Sequence, residues 1–232
     1  ESPEALDIAR RRLAFEELFL FTIGLRRLRQ RRETVSVVPF QKVDMAPFYD
    51  ALPFTLTDAQ RRCVEEAIAD MSSGAPMNRL CQGDVGSGKT MVAAACVYFC
   101  VKNGRQAALM APTEILARQH FTGLSPLLEK LGIRCVLLTG STSAREKKAV
   151  TARLAAGEAD FAIGTHALIS QGVDYQNLGL VVTDEQHRFG VGQRAALAAK
   201  GSHPHTLVMS ATPIPRTAFV RMDGGYRRPP IS

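Results

Sequence analysis

Lys89 and Thr90 close the run Gly83 to Thr90, GDVGSGKT, which fits the phosphate-binding pattern G-x-x-x-x-G-K-[ST]. The residue types suit a polyphosphate. Gly83, Gly86 and Gly88 let the backbone curl so that its N–H groups converge on phosphate oxygens. A helix starting after the loop adds the positive end of its dipole. Lys89 can reach β- and γ-phosphates, and the Thr90 hydroxyl can ligate Mg²⁺. Asp84, Val85 and Ser87 complete the loop and are counted with it as nucleotide-binding. A glycine-rich turn with a chance Lys-Thr pair needs no particular flanks. Here an apolar run, Met77 to Gln82, precedes the loop and a helix-forming run, Met91 to Val101, follows it.

A second cluster lies at Asp184-Glu185, directly after the apolar run Leu178 to Thr183. A strand ending in two carboxylates puts them at the carboxyl edge of a sheet, where ligands bind in such folds. Asp184 is assigned to the metal and Glu185 to the attacking water. Alone, the pair could be a charged strand terminus. With a P-loop upstream, the catalytic reading is preferred, and Lys89, Asp184 and Glu185 form the candidate catalytic set.

The elements that must position these groups alternate. Candidate strands are 77–82, 106–111, 134–138, 161–164, 178–183 and 206–209, and candidate helices 90–101, 115–131, 144–156 and 192–199. Near-continuous apolar strands alternating with helices predict an α/β fold of three layers, a mostly parallel sheet covered on both faces. Thr57 followed by Gln60 is a capping-box pattern opening a further helix. Residues 1–33 read as a helical extension, and Pro39, Pro47 and Pro53 punctuate a connector. The expected division is a helical segment and connector over 1–50, a nucleotide-binding domain over 51–222 and an irregular tail over 223–232.

The chain has 232 residues, 46% of them hydrophobic, and a net charge of 29 − 22 = +7. That balance favours a polyanionic partner. Arg10, Arg11 and Arg12 could equally be a solvated helix face, whereas Arg26, Arg27, Arg29, Arg31 and Arg32 have little acidic company. Leu18 to Ile23 is far too short to span a bilayer, and no signal peptide is evident. The five cysteines include no C-x-x-C and read as reduced, mostly buried thiols of a cytosolic protein. His203 and His205 flank Pro204 in an expected surface loop, where a metal site is disfavoured.

Ordered along the chain, these segments resemble the superfamily 2 helicases. Asp184-Glu185-Gln186-His187 resembles their Walker B motif. Phe54 to Gln60 resembles the adenine-reading segment, Ala111 to His120 (APTEILARQH) motif Ia, Gly164 to Leu168 (GTHAL) motif Ib, and Ser210 to Thr217 (SATPIPRT) motif III. Within the superfamily the finer likeness is to the bacterial branch-migration DNA helicases, over residues 1 to about 217.

The resemblance implies a RecA-like P-loop lobe that binds ATP and Mg²⁺, with Thr90 and Asp184 holding the metal. It places Phe54 and Gln60 at the adenine. His187, Ser210 and Thr212 would couple nucleotide state to nucleic acid. Pro112, Thr113, Arg118, Thr165 and His166 would follow the DNA, with Arg188, Phe189 and Arg194 near duplex. Pro112 and Thr113 could also simply end a strand and cap a helix, and Arg118 solvate it. The implied partners are branched duplex DNA (forks and Holliday junctions), and a wedge domain and second RecA-like lobe that this chain lacks. Weak ATP binding with little turnover is the expectation for this chain. Other readings are a P-loop nucleotide- or DNA-binding module without motor activity, an RNA helicase, and the transcription-repair coupling translocase.

Overall fold

Thr57 stops the chain from entering α2 (Asp58–Met71) one residue early. Its hydroxyl accepts the Gln60 N–H at 3.3 Å, while the Gln60 side chain accepts the Thr57 N–H at 2.9 Å. That closes the capping box expected from the sequence. Before it, α1 (Ala46–Asp50) carries Pro47 in its first turn, where a missing N–H costs nothing. The structure, a computed structural model, describes Arg12, Phe15, Glu16, Phe19 and residues 36–184, 196–211 and 219–221.

The strands are β1 (Asn78–Gln82), β2 (Gln106–Met110), β3 (Cys135–Leu138), β4 (Phe161–Gly164), β5 (Leu178–Asp184), β6 (His205–Ser210) and β7 (Phe219–Arg221). They form one sheet in the order β3-β4-β2-β5-β6-β1-β7, with every described pairing parallel. The helices between them are α3 (Lys89–Lys102), α4 (Glu114–Lys130) and α5 (Ala144–Ala155), with a 3-10 turn at His166–Ile169.

Period-two alternation divides the strand side chains between two cores. Ala107, Leu109, Phe161, Ile163, Leu180 and Val182 face α2, α3 and α4. Ala108, Met110, Ala162 and Val181 face the opposite way, toward Leu154 of α5 and the 3-10 turn. The three layers follow from strands that are apolar on both faces. Helix α3 packs against α2, α4, β2 and β5. Every residue from Val92 to Cys100 is buried there, as an all-round apolar helix requires.

The chain divides into two compact units, residues 1–36 and 37–232. In the first, Phe15 and Phe19 stack at 5.8 Å and Arg12 pairs with Glu16 at 3.2 Å. The connector is anchored: Phe40 and Phe48 are buried in the first core, and Val37 donates its N–H to the Gly74 carbonyl at 2.9 Å. His205 is likewise not in a surface loop. It opens β6, 2% exposed, and its Nδ1 accepts the Met77 N–H at 2.9 Å. All five cysteines are buried thiols outside any disulfide. Among the described residues no helix is long and apolar enough to cross a membrane. Of the expected helix 192–199, residues 192–195 lie outside the described residues, and 196–198 are helical.

Candidate active site

Because the strands are parallel, their carboxyl ends share one edge, and the strand order decides what meets what there. The P-loop leaves β1, Ser210 ends β6 and Asp184 ends β5. Further along the same edge, Pro112 and Thr113 follow β2, Thr165 and His166 follow β4, and residues 139–143 follow β3. The edge therefore has a phosphate-and-carboxylate half, β5-β6-β1, and a polar half, β3-β4-β2.

The P-loop is tied down at both ends. The Gly83 N–H donates to the Ser210 carbonyl at 3.2 Å, which ties the start of the loop to the end of β6. At the far end, Gln60 Nε2 donates to the Ser87 carbonyl at 2.9 Å. Gly86 and Gly88 have φ of 83° and 81°, left-handed values that favour glycine. A Cβ on Gly88 would also collide with the Gln60 amide. Gly88 caps α3 with no side chain of its own. The first-turn N–H groups, Thr90's included, are thus not claimed by a capping side chain.

Lys89 folds over this loop. Its ammonium donates to the Gly83 and Asp84 carbonyls at 2.6 and 2.7 Å, and weakly to Ser87 Oγ at 3.4 Å. It pairs with no described carboxylate. A partly buried cation held by neutral acceptors, beside left-handed glycines and an uncapped helix start, fits a polyphosphate.

Asp184 Oδ2 lies 2.7 Å from His120 Nε2, with both side chains mostly shielded, 15% and 12% exposed. Thr183 before it is fully buried, its Oγ1 without a partner among the described residues. Asp184 and Thr90 offer the hard oxygen donors that Mg²⁺ takes. Glu185, His187, Arg188, Phe189, Arg194 and Thr212 lie outside the described residues.

Phe54 is half exposed beside a surface pocket of about 410 Å³, lined also by Tyr49, Leu52, Pro53 and Arg61. The Arg61 guanidinium stands over the Tyr49 ring at 5.4 Å. Gln60, expected at the adenine, has both ends of its amide engaged by Thr57 and Ser87.

In the polar half, Thr113 caps α4 by accepting the Leu116 N–H at 3.3 Å. Glu114 accepts the Ser141 hydroxyl at 2.6 Å and the Ser141 N–H at 2.9 Å. The Ser141 hydrogen bonds, that from its hydroxyl foremost, hold the Glu114 carboxyl below the ordinary carboxylate range. Arg118 donates to Ser141 Oγ at 3.2 Å and pairs with no described carboxylate. Thr165 is buried, with Oγ1 unpartnered among the described residues, and His166 beside it is exposed. Pro112, Thr113, Thr165 and His166 thus lie on adjacent strand ends, with Arg118 in the second turn of α4 that follows Thr113.

Sequence reasoning missed three participants: His120, Glu114 and Ser141. His120 had left a signal, as a polar residue on the buried stripe Ala117–His120–Leu124 of α4. Ser141 left none, since only the tertiary fold brings it to α4.

The model of the DEAD/DEAH box helicase family matches residues 57–219. The chain is 48% identical over 228 residues to the ATP-dependent DNA helicase RecG of Synechocystis sp., covering 97% of this chain and 27% of that protein. It is 49% identical over 227 residues to RecG of Bacillus subtilis, covering 97% and 33%. A solved structure of RecG bound to a three-way DNA junction is similar at a TM-score of 0.81 and 44% identity, over 93% of this chain and 31% of that one. The fold is the RecA-like P-loop lobe that the motif order implied. The chain spans about a third of the length of the curated relatives it matches.

Proposed function

The chain belongs to the DEAD/DEAH box helicase family, and from that premise we propose that it is the first motor lobe of an ATP-dependent DNA helicase. On this reading the parent protein acts in the bacterial cytoplasm. It remodels stalled replication forks and Holliday junctions in DNA repair and recombination, and carries a wedge domain and a second RecA-like lobe. Support comes from relatives named as ATP-dependent DNA helicases and from the similar structure solved on a three-way DNA junction.

The observation that carries the nucleotide reading is the seating of β6 between β1 and β5, with Gly83 bonded to Ser210. It sets the phosphate loop one strand away from the Asp184 carboxylate. In the proposed mechanism Phe54 and Gln60 hold the base. The loop N–H groups from Gly83 to Thr90 and the Lys89 ammonium bind phosphate oxygens, Lys89 exchanging its carbonyl partners for anionic ones. Thr90 and Asp184 would hold Mg²⁺, which when bound would neutralise charge on the phosphates. Glu185 orients the attacking water and accepts its proton. Ser210, through its carbonyl on Gly83, reports loop position to motif III, with His187 and Thr212 completing the coupling.

Pro112, Thr113, Arg118, Thr165 and His166 form the DNA track in the polar half, and Arg188, Phe189 and Arg194 approach duplex. Positive charge supplied from another domain can be worth about 10³ to 10⁵ in phosphoryl transfer. This lobe alone therefore binds Mg-ATP weakly and turns it over slowly.

Titration calorimetry of Mg-ATP into this chain, with Lys89→Ala as control, tests the reading. Binding that the control abolishes supports a formed P-loop. Heat that is indistinguishable between the two proteins would overturn it.

A further inference from the structure

We propose that His120 is a positioning residue for Asp184, fixing the orientation in which that carboxylate meets the metal. The inference rests on the reading of Asp184 as a metal holder.

The 2.7 Å contact joins Nε2 to Oδ2. A carboxylate has only acceptors, so the ring nitrogen carries the proton and donates. Oδ1 keeps no hydrogen-bond partner among the described residues. One oxygen is thus held by His120 while the other can meet a ligand, which is how an outer-shell donor orients a coordinating carboxylate.

The donor is itself held. His120 lies on the stripe of α4 that packs on the sheet, with Ala117 and Leu124, both fully buried, a turn to either side. An imidazole has two side-chain torsions, and neighbours packed on both sides restrict them further. Asp184 ends a strand whose preceding residue, Thr183, is fully buried, so its backbone is fixed as well. The bond therefore joins two rigid elements and sets the carboxylate torsion between them.

Helix α4 is also the element that begins at Thr113 and carries Arg118. His120 thus joins the polar half of the edge to the carboxylate of the other half. A shift of α4 would turn Asp184 with it.

The test is binding of a fluorescent ATP analogue to this chain across a Mg²⁺ series and without metal. The proteins are wild type, His120→Phe, His120→Gln and Lys89→Ala. His120→Phe keeps a ring in the packed stripe and removes the donor, and His120→Gln restores an N–H at similar reach. The expected result is a rise of about tenfold in the Mg²⁺ concentration at half-binding for His120→Phe. Metal-free affinity should be unchanged, and His120→Gln should recover most of the loss. An unchanged Mg²⁺ dependence in His120→Phe would overturn the inference. So would equal losses with and without metal, which would mean packing alone. Wild-type binding that ignores both Mg²⁺ and Lys89→Ala would instead strike down the metal-and-phosphate reading, and this inference with it.

Discussion

Gln60 Nε2 donates to the Ser87 carbonyl while its Oε1 accepts the Thr57 N–H, both at 2.9 Å. One side chain therefore closes the start of α2 and holds the end of the phosphate loop. Removing it should act twice. Gln60→Ala loses half of the capping box and one partly buried hydrogen bond, a cost of about 1–2 kcal/mol by urea unfolding. It should also loosen the loop and weaken nucleotide binding by about tenfold. Unfolding and binding curves that both superimpose on wild type would contradict this coupling.

Gly88 is bound to the same residue by exclusion. Its φ of 81° disfavours any side chain, and a Cβ would strike the Gln60 amide. Gly88→Ala should cost about 1–2 kcal/mol from the backbone alone, plus the collision. The double variant Gln60→Ala, Gly88→Ala removes the collision and retains the backbone strain. It should thus be more stable than the sum of the single losses, as a double-mutant cycle would read.

These contacts show where sequence reasoning succeeds. Strand–loop–helix order around Gly83–Thr90, the apolar run along Gln106–Met110 and the Thr57–Gln60 cap are local, and the strand, the loop's flanks and the cap fall within a residue or so of their expected places. What escaped is non-local. Three-residue β7 has no room for a pattern, and only pairing along β1 makes Phe219–Arg221 a strand. Pro39, Pro47 and Pro53 mark a connector but cannot say that Phe40 and Phe48 are buried. His205 follows a Pro and reads as loop, yet pairing with Leu180 of β5 places it in the sheet. The partners of Asp184 and Glu114 depend likewise on strand order.

His205 makes stability depend on pH. Burial, with Arg105 adding to it, pulls its pKa down to about 4. An Nδ1 that accepts the Met77 N–H must also be unprotonated. The folded value lies below the unfolded value of about 6.5, so the unfolded chain binds the proton more readily. The stabilisation is therefore complete above about pH 6.5 and is lost as pH falls towards 4, by about 3 kcal/mol. His205→Asn, which offers a neutral acceptor, should flatten this part of the profile in urea unfolding between pH 7 and 4. Parallel profiles for the two proteins would contradict the assignment.

The thiols should be silent until the fold opens. Burial pushes Cys96 and Cys135 up to about 12 and raises Cys100 as well, so almost no thiolate exists near neutrality. Cys63 differs, because the hydrogen bond from the Cys81 thiol lowers it. With a thiol-reactive dye at pH 8, the native chain should react slowly and Cys63 first, with all five thiols released in denaturant. Rapid labelling of Cys96 or Cys100 in the native chain would refute this.

Arg118 separates the DNA-track reading from simple solvation of a helix. Its guanidinium has Ser141 Oγ as a neutral partner and no described carboxylate, so a phosphate could recruit it without breaking an ion pair. Glu114 holds Ser141 through two hydrogen bonds and so keeps the 139–143 loop beside it. Arg118→Ala in the two-lobe parent protein should weaken binding to a three-way junction at low salt. The slope of log affinity against log salt should fall by about one, as loss of one phosphate contact requires. Replacing a solvating arginine would leave that slope unchanged. Arg145, on the neighbouring α5 and exposed, is the matched surface control and should show no such change.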